Sequence, residues 1–238
     1  MEKIKSKENK LVFSAEINES LANAIRRYVL QIPILAIDEV EISKNDSPLY
    51  DETVAHRIGL IPIKTEKKVS EKAEKKVKLS TNKEGYVFSG EIKGEVNVVY
   101  DKIPITLLDK GKELEFEGVA RVGRGSEHSK FSPGFITYRH SCEIILDKKF
   151  ADAIKKACPN CEVKEKGDKI IVIDNKEQEV CDLCEGFAQK EGREADTKVN
   201  DELIISVEGY GQISASDIFV KSIECLKKDL EEVGKGLK

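Results

Sequence analysis

Four cysteines offer the most reactive side chains in this sequence. Cys158-x2-Cys161 and Cys181-x2-Cys184 form two CxxC knuckles with nineteen residues between them. That spacing matches the paired-knuckle pattern of a four-thiolate zinc site. Thiolates are soft ligands, suited to Zn²⁺ or to an iron–sulfur cluster. The alternative is four unligated thiols or one opportunistic disulfide. Cys142 and Cys225 have no partner in sequence and read as buried small hydrophobes. In a reducing compartment, six cysteines are free, metal-bound or redox-active rather than structural disulfides.

The other polar groups do not assemble into a catalytic set. His56, His128 and His140 show no pairing pattern. His56-Arg57 follows Asp51-Glu52, but a lone histidine among carboxylates is more commonly a structural hydrogen-bonding residue than an acid–base catalyst. The loop with Gly123, Gly125 and His128 lacks the spacing of a phosphate-binding P-loop. No nucleophile elbow, zincin helix or dinucleotide fingerprint occurs. No nucleophile, base and orienting group stand together, so the chain is expected to carry no active site of its own.

Composition narrows the class. The 238 residues are 35% charged and 39% hydrophobic, with a net charge of −4. This balance disfavours specific DNA contact, because DNA-binding domains are usually basic or carry a basic stripe. No apolar run approaches a membrane span. The charged start, Met1 to Lys5, leads into no apolar signal segment. The expectation is a cytoplasmic protein with no membrane partner.

The elements that must position these residues are readable in part. Lys10 to Ile17 reads as a strand, and Asn18 as the cap of a helix with Glu19 in its first turn. Leu21, Ala24, Ile25, Tyr28 and Val29 fall on one helical face, and Pro33 stops that helix. Leu35 to Ile42 reads as a strand. The Lys/Glu-rich stretch from Lys64 to Lys78 reads as a solvated loop or an exposed helix. Tyr86 to Lys93, Val96 to Tyr100, Glu113 to Val122 and Phe135 to Leu146 are β-like. Gly123 to Pro133 is a loop. Lys148 to Ala157 is a short amphipathic helix, Ile170 to Ile173 a strand within the cysteine segment, and Leu203 to Val207 a strand. Ser214 and Asp217 form a capping box that opens a last helix. Phe219, Ile223, Leu226, Leu230 and Val233 then follow at heptad spacing. That seam is either a core-facing stripe or a contact with a partner helix.

Residues 23–62 read NAIRRYVLQIPILAIDEVEISKNDSPLYDETVAHRIGLIP. This block resembles the signature of the RNA polymerase D/α-like subunits. The matching residues are Asn23, Ala24, Arg26, Arg27, Pro33, Ala36, Asp38, Val40, Asn45, Ser47, Asp51, Glu52, Ala55, His56, Arg57, Gly59, Leu60 and Pro62. A second match runs from Gly123-Arg124-Gly125 through His128, Lys130 and Pro133, with Phe131 where members of the archaeal and eukaryotic branch commonly have Trp. A looser third match covers Val207-Glu208-Gly209 and the final helix.

The resemblance implies an α+β fold: a split α-like dimerisation domain with an inserted β-rich domain and a small ferredoxin-like or metal-knuckle insertion. The boundaries it implies are 1–48 plus 198–238 for the dimerisation domain, 49–147 for the β-rich domain and 148–197 for the cysteine-containing insertion. It implies a non-catalytic assembly subunit of an archaeal DNA-directed RNA polymerase. That subunit would pair with a smaller subunit L and dock the large catalytic subunits, with the small subunits N and P as further neighbours. Leu21, Ala24, Ile25, Arg26, Arg27, Tyr28, Asp51, Glu52, His56, Arg57, Phe219, Ile223, Leu226 and Leu230 would serve the interfaces. Many archaeal members carry a ferredoxin-like insertion at the cysteine segment. Here Cys158-Pro159 and Cys181-x2-Cys184 resemble parts of it, but Phe187 and Glu191 stand where further cysteines are expected. A two-cluster ferredoxin is thereby ruled out. One metal site remains, Zn²⁺ or a single iron–sulfur cluster on Cys158, Cys161, Cys181 and Cys184. The alternative functions are an iron–sulfur electron-transfer protein and, less well supported by the acidic balance, a zinc-ribbon nucleic-acid binder.

Overall fold

The computed structural model describes residues 2–66, 70, 72–157, 162–173, 186 and 196–237. Strands β1 (Glu2–Lys7) and β2 (Lys10–Ala15) lead into helix α1 (Glu19–Tyr28), strand β3 (Ile34–Asn45) and helix α2 (Asp51–Gly59). Then come β4 (Glu74–Thr81), β5 (Gly85–Phe88), β6 (Lys93–Gly94), β7 (Pro104–Leu108), β8 (Leu114–Gly123) and β9 (Gly134–Asp147). Helix α3 (Ala151–Ala157), β10 (Glu162–Lys166), β11 (Lys169–Ile173), β12 (Asp196–Gly209) and helix α4 (Ala215–Gly236) complete the described chain.

The chain divides into two compact units, Met1–Asn23 with Ile136–Ser206, and Ala24–Phe135 with Val207–Lys238. The first is built on a six-stranded sheet in the order β1-β2-β12-β9-β11-β10. Its β9–β11–β10 edge is antiparallel, with Ile170 opposite Leu146 and Val172 opposite Ile144. These side chains bury with Phe150 and Ile154 from the turn and helix that follow β9. The expected short helix therefore forms, as one 3-10 turn over Lys148–Phe150 followed by α3. Cys142 is buried in the same cluster, as expected of a small hydrophobe. It is disulfide-bonded, however, which corrects its reading as a thiol without a partner.

Asn18 caps α1 as its sequence position predicts: its Oδ1 accepts from Leu21 N–H at 2.8 Å. In the same unit, His140 Nε2 donates to Glu19 Oε1 at 2.6 Å and Nδ1 donates to the Asn200 carbonyl at 2.8 Å. The Glu19 bond, seconded by Asn200, pushes the imidazole above its ordinary value of 6.5. A raised pKa in the folded state contributes stability that is fully present below 6.5 and is lost as pH rises through the raised value. Glu19→Gln is therefore expected to destabilise the chain most on the acid side of that window. Denaturation of both forms across pH checks this, and a difference that grew with pH would contradict it.

The second unit holds a four-stranded sheet in the order β3-β8-β4-β6 and a two-stranded ribbon β5-β7. Leu35 and Ile37 on β3, Phe116 and Ala120 on β8, and Val77 and Leu79 on β4 turn to one face and form the core. Helix α2 lies on this face through Val54 and Ile58, both fully buried. Each such side chain contributes about 1.5–3 kcal/mol by leaving water.

Three sequence expectations change here. Glu74 to Lys78 is strand rather than loop or helix, because Val77 and Leu79 point into the core while Lys76 and Lys78 face water. Val96 to Tyr100 forms only an isolated bridge, Val98 to Ile63. Helix α2 and strands β1, β7 and β10 were not expected from sequence.

Candidate functional site

Two surfaces carry the residues that the sequence singles out. The first is the final helix. Ser214 Oγ accepts from Asp217 N–H at 3.1 Å and fixes the start of α4. The face turned inward is Ala215, Ile218 and Ser222. The heptad seam borders and partly overlaps this face. Phe219 and Leu226 are half-buried, while Ile223 is 38%, Leu230 62% and Val233 61% exposed. Beyond Leu226 the helix is solvent-exposed through residue 237. This chain therefore covers the seam only in its first half, and leaves Leu230 and Val233 uncovered.

The end of α1 lies against α4. Tyr28 Oη donates to Asp229, which together with burial raises the phenol pKa. Cys225 Sγ faces the Gln31 carbonyl at 3.7 Å, and burial pushes its thiol pKa up. Cys225 is a free thiol, only partly buried where a buried small hydrophobe was expected. Ala24 is half-buried and Ile25 is buried in the chain's own core. Arg26 and Arg27 are exposed, as is Leu21 on the earlier part of α1.

The second surface joins the two motif blocks. Asn45 Nδ2 donates to Asp51 Oδ1 at 2.7 Å, and Asn45 Oδ1 accepts from Ser47 Oγ at 2.7 Å. These bonds close the turn from β3 into α2. Asp51 and Glu52 stand in the first turn of α2, favourable to its dipole, and His56 and Arg57 in the last. Five residues along a helix set Asp51 about 7.5 Å along the axis from His56 and on another side. The structure thus does not bring them together as an acid–base pair. Arg57 Nη1 donates to the Ile105 carbonyl at 2.9 Å, so this guanidinium ties α2 to β7. Glu52 and His56 are exposed.

The glycine-containing loop folds back on β3. Arg121 Nε donates to Asp38 Oδ2 at 2.5 Å, and Lys130 Nζ pairs with Asp38 Oδ1. Burial pushes the Asp38 carboxyl up, but the Lys130 and Arg121 bonds outweigh it and hold its pKa below the usual value. Glu127 accepts from Arg121 Nη1 at 3.2 Å and from Arg124 N–H at 3.1 Å, shaping the loop. Phe131 is fully buried beneath this network. Arg121 Cζ lies 4.8 Å and Lys130 Nζ 5.2 Å from its ring centroid, within cation–π range. Gly123 is required beside it, since a Cβ there would come 2.7 Å from the ring. Asp38, His56, Leu60, His128 and Lys130 line one pocket at this junction. The convergence depends on the pairing of β3 with β8, so spacing alone did not reveal it.

Cys158, Cys161, Cys181 and Cys184 lie outside the described residues. Among the described residues no helix is long and apolar enough to cross a membrane.

The fold agrees with what comparison finds. A family model described as the RNA polymerase Rpb3/RpoA insert domain matches residues 40–138, from the second half of β3 to the start of β9. Similarity to curated proteins extends over nearly the whole chain. A DNA-directed RNA polymerase subunit Rpo3 from Pyrococcus horikoshii is 33% identical over 94% of this chain and 92% of its own length. The subunit of the same name from Archaeoglobus fulgidus is 32% identical over 91% and 89%. That from Pyrococcus furiosus is 31% identical over 94% and 92%. The chain belongs to the family of DNA-directed RNA polymerase subunit Rpo3.

Proposed function

We propose that this chain is a non-catalytic assembly subunit of a DNA-directed RNA polymerase. It pairs through α4 and the end of α1 with a smaller L-like subunit, and the pair docks the large catalytic subunits. The observation that carries this reading is the heptad seam of α4, which stays apolar beyond Leu226, where this chain no longer covers the helix. A partner helix covering Ile223, Leu230 and Val233 would remove that apolar surface from water. Membership in the family and similarity along most of the chain to subunits named Rpo3 support the same reading. The division into a dimerisation domain (1–48 plus 198–238), an inserted domain (49–147) and a cysteine insertion (148–197) is part of the proposal. So are the neighbouring small subunits N and P and a cytoplasmic location.

Co-expression with an L-like subunit is expected to give a soluble 1:1 heterodimer. A monodisperse monomer indifferent to that subunit would sink the proposal.

In the reduced chain, the four knuckle cysteines are proposed to hold one structural Zn²⁺ or one iron–sulfur cluster. An insertion of this size gains folding energy from a metal that burial alone supplies poorly. Metal analysis of anaerobically prepared protein tests it: one equivalent of zinc, or iron with visible absorbance, is expected. Metal-free protein with the same thermal stability would contradict it.

A further inference from the structure

The pocket at the junction of β3, the end of α2 and the loop before β9 has a chemistry that points to its occupant. It is lined by Ile37, Asp38 and Val40 from β3, Ala55, His56, Gly59 and Leu60 from α2 and its end, and His128 and Lys130 from the loop. Its volume is about 230 Å³, below the roughly 300–1,000 Å³ of small-molecule and cofactor sites. A pocket of this size suits one protein side chain.

The polar groups that face it are donors. His128 Nδ1 accepts from the Lys130 backbone N–H at 3.1 Å, which leaves the proton of the neutral ring on Nε2. The His56 side chain is exposed, and its backbone carbonyl accepts from Leu60 N–H at 3.2 Å. The one carboxylate in the lining, Asp38, has both oxygens engaged, Oδ1 by Lys130 and Oδ2 by Arg121. It is therefore a poor acceptor for an incoming donor. Val40, Ala55 and the exposed Leu60 supply apolar wall. The complementary side chain has a short apolar stem and an acceptor tip, and the cationic Lys130 favours an anionic one.

We infer that this pocket receives an aspartate or glutamate side chain of a docking protein, its carboxylate bridging His128 Nε2 and His56. The inference rests on the assembly reading above and adds to it the recognition chemistry of one contact. His128 and His56 are the specificity-determining residues, and the Asp38–Lys130–Arg121 network is what keeps the pocket free of a competing acceptor.

Two substitutions separate recognition from loop structure. In His128→Gln the amide nitrogen takes the place of Nε2 and keeps the donor into the pocket, but the acceptor for Lys130 N–H is lost. In His128→Asn the side-chain oxygen takes the place of Nδ1 and keeps the loop bond, but the donor is lost. Heterodimers of the full chain with its L-like partner are prepared with each form and titrated with the two large catalytic subunits. Hydrogen bonds to charged groups are worth more than neutral ones, so His128→Asn is expected to weaken recruitment about tenfold or more, and His128→Gln to stay near the parent. Parental recruitment by both variants, or loss by His128→Gln with retention by His128→Asn, overturns the inference. Stronger recruitment by His128→Asn would assign a donor-tipped occupant and overturn the carboxylate. A parental heterodimer that recruits no large subunit would overturn the assembly reading and this contact with it. A heterodimer that never forms would separately identify the failure as that of the dimer seam.

Discussion

Replacing both Ile223 and Leu230 with glutamate is expected to weaken pairing with an L-like subunit by at least about 100-fold while the chain itself stays folded. Each apolar side chain removed from a covered seam forfeits about 1.5 kcal/mol or more, and two such losses exceed two decades in the dissociation constant. Placing a carboxylate without a partner in that seam adds to the effect. In the isolated chain Leu230 is 62% exposed and Ile223 38%. Surface substitutions of that kind change folding stability by about 0.5 kcal/mol or less. The two outcomes are read separately, by equilibrium sedimentation of the mixed subunits and by thermal unfolding of the chain alone. A variant that pairs as tightly as the parent would show that the seam is not the interface.

The largest expected effect on stability comes from Phe131→Ala. The ring is fully buried, packs against the bare Gly123 backbone and lies within reach of the Arg121 and Lys130 cations. Truncating a buried Phe leaves a cavity and typically costs about 3–5 kcal/mol. That is a large fraction of the roughly 5–15 kcal/mol that holds a protein folded. The loop that carries His128 and Lys130 is anchored by this ring, so recruitment of the large subunits should fall in the same variant. Denaturant unfolding checks the first effect, and a loss under about 1 kcal/mol would contradict the anchoring role.

How much of this was legible in the sequence varies with the physical signal. The start of α4 was plain because Ser214 and Asp217 form a local cap, and the structure has the predicted bond. The α1 cap at Asn18 was plain for the same reason. Helix α2 was missed because only Val54 and Ile58 of its nine residues are fully buried, too few to show a period against Asp51, Glu52, His56 and Arg57. Strand β4 was hidden by its lysines: alternation over Lys76, Val77, Lys78 and Leu79 is present but carries few large apolar residues. The motif blocks identified the family through residue identity, yet several of their polar residues turn out to be structural. Asn45, Ser47 and Asp51 close a turn, and Arg57 holds the Ile105 carbonyl. That His56 and His128 line one pocket was not legible, because it follows from long-range pairing of β3 with β8. Cys142 was read as a thiol without a partner because nothing in its local sequence marks a disulfide.

Reconstitution of the polymerase from separately purified subunits, with this chain supplied or withheld, tests the assembly role most directly. With the chain present, the L-like subunit and the two large subunits should enter one complex that transcribes. With it withheld, the large subunits should stay unassembled and inactive. A complete, active enzyme formed without this chain would contradict the account.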